Sequence, residues 1–502
     1  MGYLKEFLKK YWFNLAVLGI LLIAIFLRFY DYNDRWALAY DQARDAIVAE
    51  YALAHHLLPI IGSFSSAGPF QWGPEFYWIL MITTGVYPFA IITPWVVMSL
   101  LYVFFVYLII RVAEKLIDKK FALLTGLLAA VSTAQIDQST NLTNPSFVPI
   151  FSMFAIWAMV IYIKSGKRTL FLFLLAFFIS IAISLHLQGV GLIFLLIFTV
   201  IATKSFQLKK MVVVLLGLAL PFVPLLISDL QHNFFNIHNI IQYYLHDQYK
   251  VSLDVLGRRW LTYLGVFVPT FWGYIIGGNA IMGYLLSGLF TLTTLILAYK
   301  RKISSIWIIL ILTLLCDIFI IKNTRSPLFY GYLTFLHPLI LLLSAWVLYL
   351  LMKIYKYIGL ALLLIIVSLT VTESMKSIVA TAKGSARAQV ESATNFLNHT
   401  YPNKQFALYD YNHKSIHLSY PLMLFLWHDN KINKEGYGIG IGTPTQNEKI
   451  ISGYDDIHPQ IKGNTSGLII RDLSGSSSAQ LEKEGWKNVN AEDTYNSIQN
   501  WH

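Results

Sequence analysis

Charge is scarce in this chain, and cysteine scarcer still. Only 13% of the 502 residues are Asp, Glu, Lys or Arg, about half the share a soluble domain carries, so a chain water-exposed on all sides is excluded. The single cysteine, Cys316, excludes a disulfide framework and a cysteine metal site. The sequence has no P-loop and no dinucleotide fingerprint, so nothing marks a nucleotide-using cytoplasmic domain. No internal repeat and no inverted pair of broken helices of the transporter kind is visible. The net charge of +11 would suggest nucleic acid in a soluble domain. Here topology accounts for part of it, and no nucleic-acid partner is expected.

Hydrophobic residues make up 56% of the chain, and several runs of roughly 17–20 residues match the thickness of a bilayer. A first span covers about 13–30. It is followed by IFLRFYDY rather than a small-residue cleavage site, so it reads as uncleaved. Further runs centre near 94–111, 121–136, 146–163, 169–185, 189–203, 211–228, 281–299, 304–321, 333–352 and 356–372. The expectation is an all-α polytopic membrane protein with about eleven spans, embedded in a lipid bilayer as its solvent.

Alternation from a cytoplasmic N-terminus gathers the basic clusters inside: Arg111/Lys115/Lys119/Lys120, Lys164/Lys167/Arg168, Lys204/Lys209/Lys210, Lys300/Arg301/Lys302 and Lys353/Lys356. That agrees with the positive-inside rule. Counting EFYWILMITTGVYPFAII (75–92) as a span would invert every later loop. It therefore reads as a helix lying in the outer interface, within a first outer loop of about 31–93. The chain divides into a membrane part, 1–372, and a polar remainder, 373–502. In the latter, FALYDY and GLIIRDL look like strands and SSAQLEKEGW like a helix. A small extracytoplasmic α/β domain follows, on a protein of the cell membrane.

Acidic residues of the membrane part crowd the outer side, where carboxylates near a bilayer must be solvated, paired or used. Asp41 and Asp45 stand at i and i+4, on one face of an expected amphipathic surface helix, with Arg44 between them. They form either a solvated polar face with a local counter-ion or a reactive pair. Gly73-Pro74-Glu75 starts the interfacial helix. Trp72, Phe76, Tyr77 and Trp78 suit an interface belt, or a stacking surface for a sugar ring. Asp137 lies in the second outer loop. Asn144, before Pro145, is either a helix cap or a site residue. His232 lies in the next large outer loop, and His186 reads as structural. Arg258, Arg259, Lys322 and Arg325 are cations on the side where cations are disfavoured. Phosphate binding at headgroup level is one reason for them, and snorkelling is another. No tight metal-ligand spacing appears, so no metal residue is assigned and a divalent cation stays open.

YDQARDA, then PIIGSFSSAG and GPEFYW, resembles the first outer loop of GT-C glycosyltransferases. The branch is the protein O-mannosyltransferase-like one (family 39 and its bacterial relatives), which includes the lipid A aminoarabinose transferase. LTNPSFVPIF and PLLISDLQHNFFNI resemble later stretches, and the likeness covers about 13–372. The resemblance implies the GT-C fold. It also implies transfer of a sugar from a polyprenyl-phosphate donor to an extracytoplasmic acceptor, with Asp41 in the place of the family's active-site acid. Two departures stand out. Many members carry a second acid where this chain has Asn144, so that part falls to Asp45 or Asp137, or is absent. Some carry Lys-Pro where this chain has Gly73-Pro74. Arg44, Glu75 and Tyr77 join the candidate substrate contacts. The rival expectation is a lipid-linked sugar transporter or flippase, which would bury charge near mid-bilayer.

Overall fold

The computed structural model describes residues 2–65, 68–246, 259–323, 328–381, 386–412, 415–442, 456–458 and 469–500. In chain order, α1 is Gly2–Phe29, α2 Tyr40–Ala54, α3 Glu75–Val86, α4 Thr93–Leu116, α5 Lys119–Val131, α6 Thr133–Gln138, α7 Asn144–Lys164 and α8 Thr169–Leu185. After a 3₁₀ segment, Leu187–Leu192, come α9 Ile193–Thr203, α10 Leu208–Ala219, α11 Val223–Gln231 and α12 Phe235–His246. Then follow α13 Val268–Ile275, α14 Ala280–Tyr299, α15 Ser305–Asn323, a second 3₁₀ segment Tyr330–Leu336, α16 His337–Ile354 and α17 Lys356–Thr381.

Among the described residues, eight helical stretches are long and apolar enough to cross a membrane. The other three expected spans are shorter: α5, α8, and the stretch Leu187–Thr203. The eleven apolar segments read from the sequence are all helical, so the chain is a multi-pass membrane protein. The helix Tyr330–Ile354 is the axis of the bundle, with 83% of its most apolar stretch buried. Leu208–Gln231, Ala280–Tyr299 and Lys356–Val379 bury only 22, 17 and 22%. Such apolar outer faces are stable only against lipid.

Polar groups staple the bundle where α1 leaves it. Arg28 is fully buried and donates to Ala130 O at 3.0 Å, across to α5. Arg35 donates from Nη1 to the carbonyls of Leu27, Arg28 and Tyr30 at 2.9–3.1 Å, satisfying the open C-terminal end of α1. Helix α3 has 12 residues, about 18 Å, too short to cross about 30 Å of hydrocarbon. It is a short helix beside the bundle, as the charge pattern required.

The polar remainder folds as α18 Ala386–Thr400, β1 Phe406–Tyr411, α19 Ile416–His428, β2 Tyr437–Gly442, β3 Asp456–His458, β4 Ile469–Asp472, α20 Ser478–Lys483, β5 Trp486–Val489 and α21 Ala491–Gln499. The strands form one sheet in the order β3-β4-β2-β1-β5. Strands β1 and β2 are parallel, and the other pairs are antiparallel. The crossover α19 and the last helix α21 both pack on α2. That packing corrects one expectation. Helix α2 is no half-solvated surface helix: Gln42, Ala43, Asp45–Ala49 and Ala52 are all buried.

Candidate active site

The site begins at the first turn of α2. No side-chain oxygen is available at Ala39, so the helix is started by Gln42, whose Oε1 accepts from Ala39 N at 3.2 Å. Gln42 Nε2 donates to Asn141 Oδ1 at 2.7 Å, and Ala37 N donates to Thr140 O. These bonds seat the start of α2 on the loop before α7.

Arg44 then divides its guanidinium between two carboxylates. Nε and Nη2 donate to Oδ1 and Oδ2 of Asp45 at 2.9 and 3.0 Å. Nη1 lies 3.0 Å from Asp41 Oδ1. The two acids differ sharply in surroundings: the Asp41 side chain is 60% exposed and that of Asp45 is 3%. Tyr77 of α3 donates to Asp45 Oδ1 at 3.0 Å. Burial pushes the Asp45 carboxyl up and the Arg44 guanidinium opposes it. Both oxygens of Asp45 are engaged, so it positions Arg44. Asp41 faces outward at the end of the same network. Tyr40 lies under the guanidinium at 5.1 Å.

Helix α3 adds a third acid. Glu75 is buried, accepts from Ser184 Oγ through Oε2, and has no partner at Oε1. Burial raises its carboxyl to about 7. A Cβ at Gly73 would overlap both the Ser184 hydroxyl and the Glu75 carboxylate. The lysine that some members place there has no room in this packing. Next to it, Trp72 and Tyr332 stack on the two sides of His186, at 5.3 and 5.4 Å. Burial lowers this imidazole to about 4, so it is neutral at pH 7. Trp72, which suited either an interface belt or a stacking surface, thus sits in a ring stack with His186.

The remaining candidates are spread around this centre. Asn144 is the first residue of α7, after the cap Thr143, and its Nδ2 donates to Leu185 O at 2.7 Å. It closes the C-terminal end of α8, so the expectation that Asn144 is a cap of its own helix does not hold. Asp137 accepts from Tyr274 and Ser377 at 3.2 Å each, tying α13 to α17. Burial raises its carboxyl, against those two donors and Arg35. His232 Nδ1 lies 2.7 Å from Ser228 O, turned back on its own helix. Lys322 is buried at the end of α15, its Nζ 4.2 Å from the Trp260 ring, and Arg259 adjoins that ring in sequence. Arg258 and Arg325 lie outside the described residues. Among the described residues no three His, Cys, Asp or Glu side chains form a metal cluster.

The decisive likeness is one of fold. The structure of ArnT from Cupriavidus metallidurans in the apo state matches with a TM-score of 0.61, covering 92% of this chain and 98% of that one. This is the GT-C glycosyltransferase fold. Identity over that match is 11%, so the kinship lies in architecture. The same enzyme bound to undecaprenyl phosphate matches with a TM-score of 0.60 at 10% identity, covering 91% and 97%. Residues 71–227 match the dolichyl-phosphate-mannose-protein mannosyltransferase family. That GT-C match includes Glu75, Tyr77, Asp137 and Asn144, and begins after Asp41 and Asp45. No curated protein sequence matches the chain. The expected likeness to GT-C transferases holds in the fold and in a family match that takes in GPEFYW, while YDQARDA lies outside that match.

Proposed function

We propose that this protein transfers a sugar from a polyprenyl-phosphate donor to an acceptor on the non-cytoplasmic side of the membrane, with inversion at the anomeric carbon. The observation that carries the reading is the Asp41–Arg44–Asp45 arrangement. A largely exposed carboxylate is held in place by a guanidinium that a buried carboxylate orients, at the mouth of a GT-C bundle. The ArnT structure that holds undecaprenyl phosphate supports a donor of that class.

In this reading Asp41 accepts the proton of an acceptor hydroxyl as its oxygen forms a bond to the anomeric carbon. The bond from that carbon to the phosphate oxygen breaks on the opposite face, and polyprenyl phosphate leaves. Two cations, Lys322 at the outer end of its span and Arg259 next to Trp260, offset the charge that develops on phosphate. Asp45 and Tyr77 hold Arg44. The basic clusters set the N-terminus in the cytoplasm and residues 373–502 outside.

The test is Asp41→Asn, purified and shown to be folded, assayed for transfer from radiolabelled undecaprenyl-phosphate sugars. The expected result is a loss of about 10²–10⁴-fold in turnover, with binding of undecaprenyl phosphate kept. Full activity would remove Asp41 from the mechanism.

A further inference from the structure

One buried carboxylate has no part in the chemistry above. Asp317 lies inside α15, is 1% exposed, and has no hydrogen-bond partner at Oδ2. An acid buried in a membrane span without a partner is costly, and such groups mark functional sites. Two more unpartnered polar atoms belong to its neighbourhood. Gln188 and Gly191 share a face of the 3₁₀ segment Leu187–Leu192, because residues three apart eclipse in that helix. Gly191 packs so tightly against Asp317 that a Cβ there would collide with Oδ1 and with the Phe335 ring. Gln188 Oε1 is buried without a partner, and so is the Tyr263 hydroxyl, which feels the charges of Asp317 and Arg259. Lys322 lies five residues further along α15, about 7.5 Å toward the helix end.

Two acceptors and a hydroxyl, all desolvated and all lacking partners, match the hydroxyl groups of a sugar ring. The Lys322 and Arg259 end supplies the positive sign a phosphate needs. Resting on the donor class proposed above, we propose that Asp317, Gln188 and Tyr263 form the subsite that recognises the sugar of the lipid-linked donor. Gly191 lacks a side chain because the carboxylate occupies that space. Asp317 is then a specificity residue: it binds the ring that travels, while Asp41 handles the acceptor.

The test uses the full chain in nanodiscs, with two classes of probe. One is bare undecaprenyl phosphate; the other is the same lipid carrying glucose, mannose or arabinose. The expected result is that the wild type binds at least one glycosylated lipid more tightly than the bare one. Asp317→Asn and Gln188→Leu each weaken that binding tenfold or more and leave the bare lipid within twofold. The thermal midpoint of Asp317→Asn stays level or rises, because the variant removes a buried acid that has no partner at Oδ2. Unchanged binding of the glycosylated lipid, or an equal loss for both lipids, overturns the subsite while leaving the transferase reading intact. A wild type that prefers no glycosylated lipid over the bare one overturns the donor reading, and the subsite with it.

Discussion

The Tyr77 hydroxyl donates to Asp45 at 3.0 Å across the gap between α3 and α2. A short helix beside the bundle thereby fixes the acid that fixes Arg44, and Arg44 in turn holds Asp41.

Tyr77→Phe removes one donor from a buried carboxylate. A hydrogen bond to a charged group contributes roughly 1.5–3 kcal/mol, so the thermal midpoint in detergent should fall measurably. Turnover should fall less than in Asp41→Asn, because Arg44 still grips both acids. An unchanged midpoint would show that Tyr77 does not hold Asp45 in the membrane.

Arg44→Lys keeps the charge and loses the planar fork. A single ammonium cannot engage two oxygens of Asp45 and also Asp41 in this geometry. Activity is expected to drop at least tenfold with donor affinity kept, read as a fall in kcat at constant KM. Asp45→Ala should be worse for folding, on the order of 3–5 kcal/mol, since it strands a buried guanidinium. Equal stability of Asp45→Ala and wild type would contradict the network.

Glu75 gives a pH signature. Its carboxyl is raised from 4.5 to about 7 by burial, with the Ser184 hydroxyl acting in the opposite direction. Above pH 4.5 the unfolded chain releases this proton and the folded chain keeps it. The stability from neutral Glu75 is therefore complete below pH 4.5 and is lost as pH rises through 7. Glu75→Gln should flatten that decline. Relative to wild type it gains up to about 3 kcal/mol between pH 5 and 8. Thermal midpoints measured at both pH values check this; parallel changes in the two proteins would refute it.

Gln499 clamps the loop that follows α2. Its Nε2 donates to Ile61 O at 2.8 Å and its Oε1 accepts from Ile60 N at 3.1 Å. Beside it, Gln71 Nε2 donates to Ile498 O at 2.7 Å. Gln499→Ala strands two buried backbone groups, at about 1–3 kcal/mol. Hydrogen exchange should accelerate over residues 57–65 and 68–72 while the spans stay protected. Unaltered exchange would mean that the C-terminal helix does not order the loop.

Much of this was legible in advance, and the physical reason differs by element. The eleven apolar segments were readable because a bilayer enforces one composition over one length. The short helix at Glu75 was readable because counting it as a span reversed the charge asymmetry. The strands at 406–411 and 469–472 showed β-rich runs. Strand β2, YGIGIG, did not: glycine at alternate positions weakens the strand signal. There Gly440 yields its side-chain space to the Trp486 ring. Asp41, Arg44 and Asp45 could be named from one heptapeptide. Their unequal burial could not, because the cover over α2 comes from helices at 416–428 and 491–499. Glu75 with Ser184, Asn144 with Leu185, and Trp72 with His186 are contacts between distant positions. No local pattern encodes them. Asp317 is a lone acid within the apolar run 304–321, but its companions Gln188 and Tyr263 carry no signal of their own.

The shortness of α5 has a consequence for the stretch that follows it. Its 13 residues reach about 20 Å, whereas the hydrocarbon layer is about 30 Å thick. With Lys119 and Lys120 at one membrane face, the chain leaves its helix near Ser132 some 10 Å before the opposite boundary. Backbone turns at that depth survive only when protein surrounds them, and the stretch 132–140 is nearly all buried. Neighbouring helices therefore shield this backbone turn from lipid, as its burial shows.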